Sequence, residues 1–311
     1  MKIAIVGAGA MGCLYAAAFH RAGCDVTLVD VNREHIDAIN KHGLELETRA
    51  GHEVLPLPAR LPQDAEGIMD LVLVFTKVFH TETAMKGAKQ LIGPDTYVLT
   101  LQNGLGNAER IAAHVPHERV LVGIASLPAD LEGPGKVRSM GEGGSRLYPA
   151  FTQDEAFASQ VAAKLTQGGM TAKLEPKIHE AIWEKAIFNA AMNPLCALTR
   201  RTPGFFKEKP EARGMIHAVV EEGTAAANAN GYAISSKPIQ DLTLVSMTDH
   251  ADHEASMLQD VKAGRRTEVD SINGAIVEAA RKAGVEAPVT ETLWRMVKLE
   301  EAKLAEARPG G

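Results

Sequence analysis

Lys185, Asn189 and Asn193 fall at i, i+4 and i+8 within the run WEKAIFNAAMNP at 183–194. That spacing sets an ammonium and two amides nearly in line along one face of an α-helix. Ala186, Ile187, Ala190, Ala191 and Met192 fill the other faces. A polar stripe walled by apolar side chains can hold a small polar molecule; a solvated helix edge would show the same spacing. Two Asn residues cost helix propensity, which makes a solvated edge less comfortable than for a lone lysine, and the stripe takes its weight from the rest of the chain. Pro194 restricts the residue before it, so the helix is expected to end or kink at Asn193.

A second motif sits at the start of the chain. KIAIV at 2–6 reads as a buried strand and runs directly into Gly7-Ala8-Gly9-Ala10-Met11-Gly12. A helix is expected from about Met11 to Ala22, closed by Gly23, and DVTLV at 25–29 reads as the next strand. Strand, GxGxxG, helix and strand in close succession form the context in which this motif binds a dinucleotide. The first glycine makes the tight turn, the second lets the backbone approach a pyrophosphate, and the third allows close helix–strand packing. The helix N-terminus offers unpaired N–H groups and a positive dipole end to that pyrophosphate. Asp30 closes the second strand, where a carboxylate would accept hydrogen bonds from the adenosine ribose. It would also repel a 2′-phosphate, by up to about 4 kcal/mol at ~4 Å and an effective dielectric of ~20. Asp30 therefore leans to NADH over NADPH, an argument softened by nearby Arg33 and by Lys77. Lys77 lies just past the strand predicted at 70–75, at the carboxyl end where ligands bind in parallel sheets.

A larger scaffold must position these residues. Two short strands around Ala50-Gly51 predict an antiparallel hairpin over 44–58. Further strands are expected at 96–101, leading into Gln102-Asn103-Gly104, and at 120–125. The segments 131–139 and 146–149 read as antiparallel additions at the end of the same sheet. Helices are expected at 81–92 and 153–168, and a last strand at 171–174. Beyond Pro176 only helical periodicity remains, over 179–193, about 210–229, 238–248, 252–263, 270–283 and 288–306. The tail from Lys298 reads as a charged helix end leading into disorder. The expected architecture is α/β: a Rossmann dinucleotide-binding domain at 1–175 and an all-helical domain at 176–311.

Composition narrows the function classes. A net charge of −6 lacks the basic face that a nucleic-acid or anionic-membrane partner requires. Cys13, Cys24 and Cys196 form no CxxC pair, which suggests a reducing compartment. No basic segment precedes an apolar run at the N-terminus and no stretch is long enough to span a bilayer, so a soluble cytoplasmic protein is expected. His250 and His253 lie at i, i+3 with no third ligand near in sequence, so they read as surface residues and no metal site is expected.

The run SMLQDVKAGRRTEVD at 256–270 completes a set. With GAGAMG at 7–12, TK at 76–77, QNG at 102–104 and WEKAIFNAAMNPLCAL at 183–198, the chain resembles the ketopantoate reductases (2-dehydropantoate 2-reductases) over essentially its whole length. The resemblance implies NAD(P)H-dependent reduction of 2-dehydropantoate to pantoate, a step of pantothenate biosynthesis, in a cleft between the two domains. It implies that Lys185 is the catalytic lysine and that Glu268 is the active-site glutamate, which would also contact the cofactor. Asn103 would contact cofactor and substrate, while Asn189, Asn193 and Ser256 would bind substrate. A possible homodimer belongs to the same implication. Asp30 departs from the many members that use NADPH, and matches a branch that reduces other branched or aromatic 2-oxo acids to D-2-hydroxy acids with NADH. Two further readings remain: a related β-hydroxyacid dehydrogenase, which the QNG and TEVD segments disfavour, and a dinucleotide-sensing protein without turnover.

Overall fold

A computed structural model of the chain describes residues 1–141 and 143–306. It separates into two compact units, one made of Met1–Gln102 with Asn107–Ile178, the other of Asn103–Gly106 with the chain from His179 onward.

The first unit runs β1 (Lys2–Val6), α1 (Ala10–Arg21), β2 (Asp25–Val29), α2 (Arg33–His42), β3 (Leu44–Thr48), β4 (Gly51–Leu55), β5 (Ala59–Arg60), β6 (Leu71–Val74), α3 (Thr81–Gly87), β7 (Tyr97–Thr100), α4 (Asn107–Ala112), β8 (Val120–Ala125), β9 (Asp130–Gly133), β10 (Lys136–Ser139), β11 (Ser145–Pro149), α5 (Ala156–Gln167) and β12 (Ala172–Leu174). Among the described residues one sheet has the order β12-β11-β8-β7-β6-β1-β2-β5. From β5 to β8 all neighbours are parallel. The apolar runs of β6 and β8 are buried throughout, as both-sided coverage by helices requires. This is the Rossmann order, and its reversal point lies between β1 and β6.

The strand expectations need one correction. Only β11 extends the main sheet antiparallel, against β8. β9 and β10 leave it and join the β3–β4 hairpin in a separate sheet of order β4-β3-β10-β9, with β10 parallel to β3. The α3 region is also shorter than expected, because the last residues of the predicted helix form a 3₁₀ turn at Lys89–Leu91.

His35 on α2 is buried beside the glycine motif. Its Nδ1 accepts the Gly135 N–H at 3.0 Å, so the neutral ring carries its proton on Nε2, which lies 3.6 Å from the Cys13 sulfur. Burial pushes this imidazole below its ordinary value, with Asp30 and the Ala8 backbone opposing. The unfolded chain then binds the proton first as pH falls through about 6.5, so stability is lost below that point and is unaffected above it. Tm measured from pH 7.5 to 5 is expected to fall in the wild type and to fall less steeply in His35→Gln.

The second unit is helical: α6 (Ile178–Thr199), α7 (Pro210–Ala229), α8 (Ser236–Thr248), α9 (Ser256–Lys262), α10 (Ala275–Lys282) and α11 (Pro288–Glu306). α6 is the central rod. Ile187, Ala190, Ala191, Met192 and Cys196 are almost wholly buried with Val219 and Val220 of α7. Gly223 lets the two helices close, since a Cβ there would stand 2.8 Å from Ile187. Glu222 of α7 caps α11, its carboxylate accepting the Val289 N–H at 3.0 Å and the Thr290 N–H at 2.8 Å.

Of the end or kink expected at Asn193, the end does not occur: α6 continues through Pro194 to Thr199. The helices expected at 252–263 and 270–283 are also altered. The first starts only at Ser256, and the second opens with a π-turn, Asp270–Gly274, before α10. The disordered end expected for the tail falls at 307–311, outside the described residues. Among the described residues no helix is long and apolar enough to cross a membrane.

Candidate active site

In the first unit the glycine loop joins β1 to α1, and its three glycines differ in what surrounds them. A Cβ on Gly7 would stand 2.6 Å from the Thr76 nitrogen, and Gly7 itself has φ +99°. A Cβ on Gly12 would stand 2.0 Å from the Gly7 carbonyl oxygen. Both are demanded by the protein's own packing. A Cβ on Gly9 would meet nothing within 4 Å. Its bareness leaves an open approach to the first turn of α1, which itself carries no acidic residue to compete with a bound anion. Ala10, Met11 and Gly12 supply the first N–H groups of that turn, so the loop fits a dinucleotide's pyrophosphate.

Asp30 is tied to this loop. One carboxylate oxygen accepts the Ala8 N–H at 2.7 Å and the other accepts the Asn32 N–H at 2.9 Å. Each oxygen keeps a second lone pair, so hydroxyls can still bind. Lys77 lies beyond β6 at the head of a 3₁₀ turn, Val78–His80, one residue after the Thr76 that abuts Gly7. Gln102 fixes the neighbouring strand end, donating to the Thr76 carbonyl at 2.6 Å and the Thr81 hydroxyl at 2.9 Å. A separate cavity of about 920 Å³ in this unit is lined by Arg21, Thr48, Glu53 and Gly168 among others, and by no candidate residue.

In the second unit Lys185 and Asn189 are half-buried on α6 and Asn193 is buried, on a helix otherwise sunk in apolar side chains. Burial pulls the Lys185 ammonium down to about 8, and the Glu268 carboxylate opposes that fall. Glu268 is itself buried, at 7% exposure. Its backbone carbonyl accepts from the Ser271 and Ile272 N–H groups, each at 3.1 Å, and from the Ser271 hydroxyl at 3.0 Å. The residues around it are clamped to α11. Thr267 donates its N–H and hydroxyl to Glu301 at 2.7 Å each, and Asp270 accepts from Trp294 and Lys298 at 2.9 Å.

The loop at 103–106 rests on the same turn. Leu105 donates its N–H to the Ser271 carbonyl at 2.9 Å, and Asn103 donates to Glu268 at 3.4 Å. The fold thus brings Asn103 to Glu268, and Glu268 within electrostatic reach of Lys185. Ser256 is exposed at the first position of α9. His250 and His253 are both exposed. Asn273 is a residue that the spacing of the sequence does not single out, a fully buried amide that donates to the Ala190 carbonyl of α6 at 3.1 Å. Its one signal in the sequence is Pro194, which leaves that carbonyl in need of a donor.

The family model described as Ketopantoate reductase PanE/ApbA matches residues 3–150, and the model for its C-terminal part matches residues 177–301. The chain belongs to the ketopantoate reductase family. Ketopantoate reductases are NAD(P)-dependent oxidoreductases acting on CH–OH groups. A 2-dehydropantoate 2-reductase of Pyrococcus horikoshii is 35% identical, with 97% of this chain and 98% of that one covered. One from Streptococcus pyogenes is 32% identical, covering 98% and 99%. Among solved structures, a ternary complex of D-mandelate dehydrogenase with NADH and anilino(oxo)acetate superposes with TM-score 0.94 at 33% identity, covering 98% of this chain and 100% of that one. The 2-dehydropantoate 2-reductase of Geobacter metallireducens superposes with TM-score 0.91 at 30% identity, covering 96% and 99%. A further ketopantoate reductase structure, from Staphylococcus aureus, is described as dimeric.

Proposed function

We propose that the protein reduces a 2-oxo acid to the 2-hydroxy acid, with 2-dehydropantoate as first candidate substrate. The observation that carries this is the half-buried ammonium of Lys185 paired electrostatically with Glu268 on a turn that also holds Asn103. The dinucleotide, when bound, supplies the hydride. The chain's part is to orient the oxo acid and to meet the charge that grows on its 2-oxygen. Lys185 donates a hydrogen bond to that oxygen and then gives up its Nζ proton to it, leaving a neutral amine that solvent reprotonates. Asn189 and Asn193 bind the carboxylate or hydroxyl, and Ser256 adds a hydroxyl contact. Asn103 meets cofactor and substrate, and Glu268 holds the charge state of Lys185. Gly7 to Gly12 and Lys77 bind the dinucleotide, and Asp30 its ribose.

A second reading, an NADH-dependent D-2-hydroxyacid dehydrogenase acting on other branched or aromatic 2-oxo acids, is favoured by Asp30 and by the likeness to the NADH-bound D-mandelate dehydrogenase. Asp30 leans to NADH, while the habit of the ketopantoate reductase family leans to NADPH. Steady-state rates with NADH and NADPH, each against ketopantoate, 2-oxoisovalerate and phenylglyoxylate, separate them. Ketopantoate with the highest kcat/KM supports the first and phenylglyoxylate the second. No nicotinamide oxidation with any pair favours the dinucleotide sensor. Asp30→Asn removes the charge that repels a 2′-phosphate while its amide oxygen can keep one backbone bond. The ratio of kcat/KM for NADPH over NADH is expected to rise by roughly 10-fold or more. An unchanged ratio would remove Asp30 from cofactor choice. The assembly expected is a homodimer, to be read from light scattering.

A further inference from the structure

Pro194 has no N–H, so the carbonyl of Ala190 cannot close its turn of α6, and the proline ring crowds that same carbonyl. The helix nevertheless runs unbroken to Thr199. The missing donor comes from another element: Asn273 Nδ2 reaches the Ala190 carbonyl at 3.1 Å. The repair is unusual in kind. Asn273 has no exposed surface, and its Oδ1 has no hydrogen-bond partner among the described residues. A buried amide with an idle oxygen costs stability. Any residue with an N–H at position 194, facing an apolar side chain at 273, would satisfy the helix without that cost. Helix repair alone does not account for the pair.

The pair joins two segments in a fixed register. Ala190 lies next to Asn189, between Lys185 and Asn193 on α6. Asn273 lies within the π-turn whose bonds close on Val269 and Glu268, through Gly274 N–H to Val269 at 3.0 Å and Ile272 N–H to Glu268 at 3.1 Å. The extra residue of a π-turn shifts the angular phase of the helix around it, and here it turns an amide toward α6. Resting on the function proposed above, we propose that Asn273 is a positioning residue: its bond to Ala190 sets the separation between the Glu268 carboxylate and the Lys185 ammonium.

Three variants test this: Asn273→Leu, Pro194→Ala, and the two combined. Pro194→Ala gives α6 its own donor for Ala190, so the double variant has no orphaned carbonyl and reports even where Asn273→Leu alone fails to fold. Three quantities are read: Tm, kcat, and the titration midpoint of the Lys185 amine, monitored by NMR of reductively methylated, cofactor-free protein. The double variant is expected to recover Tm to within a few degrees of wild type. It should keep a roughly 10- to 100-fold loss in kcat. Its Lys185 midpoint should lie about half a pH unit or more below wild type, because the carboxylate that opposes deprotonation has moved away. Recovery of kcat and of the midpoint together with Tm would reduce Asn273 to a helix repair and overturn the proposal. A wild-type protein that turns over no 2-oxo acid fails the underlying function instead. In that case the NMR midpoint still decides whether Asn273 sets the Lys185–Glu268 separation.

Discussion

Lys185→Ala is expected to lower kcat for 2-oxo acid reduction by roughly 10³-fold at pH 7, leaving the Kd for NADH within about twofold of wild type. The size reflects the two tasks placed on one group. An ammonium aimed at a forming alkoxide replaces a donor whose loss alone costs about 10²- to 10³-fold, and the same group delivers the proton. NADH binding is spared because the glycine loop and Asp30 belong to the other unit. Lys185→Arg keeps the charge but not a proton that can leave near neutral pH, so it should restore substrate binding better than turnover. A Lys185→Ala enzyme working at near wild-type rate would end the assignment.

The same lysine fixes the pH profile. With the amine held at about 8, the donor form predominates at pH 7 and disappears above 8. The kcat for reduction should therefore fall about tenfold per pH unit on the alkaline side, while oxidation of the hydroxy acid, which needs the neutral amine, should rise through the same midpoint. Glu268→Gln removes the charge that opposes deprotonation, so the midpoint should move to lower pH. A midpoint that stays in place would detach Glu268 from Lys185.

The parts of this site that are legible in the sequence are the ones built from near neighbours. Gly7, Gly9 and Gly12 can be read because a strand, a turn and a helix start succeed one another without interruption. Lys185, Asn189 and Asn193 can be read because helical periodicity places them without reference to any partner. The misreadings involve distant partners. β10 alternates like an edge strand of any sheet, and only packing decides that it pairs with β3 rather than extending β11. Pro194 carries a local stop signal that a donor from Asn273 cancels. The π-turn before α10 is invisible to periodicity, since a single inserted residue leaves the apolar pattern on either side intact. Glu268 and Ser256 acquire roles only through the family resemblance; spacing alone gives a solvated acid and a solvated hydroxyl.

The loop at 103–106 supplies the second large effect. Gly104→Ala is expected to cut kcat by about 10²-fold. Gly104 has φ +86°, and a Cβ there would stand 2.2 Å from the Ser271 carbonyl oxygen and 2.7 Å from its carbon. Backbone cannot yield as a flexible side-chain tip can, so the loop must lift by on the order of 1 Å to restore contact distance. That lift breaks the Leu105 bond to Ser271 and draws Asn103 from Glu268. A displacement of this size in a reacting site is worth about two orders of magnitude in rate. The left-handed backbone adds a stability cost of about 1–2 kcal/mol for any L side chain, which by itself lowers Tm by several degrees. Gly231→Ala separates the two terms. Gly231 has φ +90° in the same unit, and a Cβ there meets nothing within 4 Å. It should lose Tm comparably and keep kcat. If Gly104→Ala behaves like Gly231→Ala, losing stability but not turnover, then the Asn103–Glu268 contact does no catalytic work, and the site reduces to the face of α6.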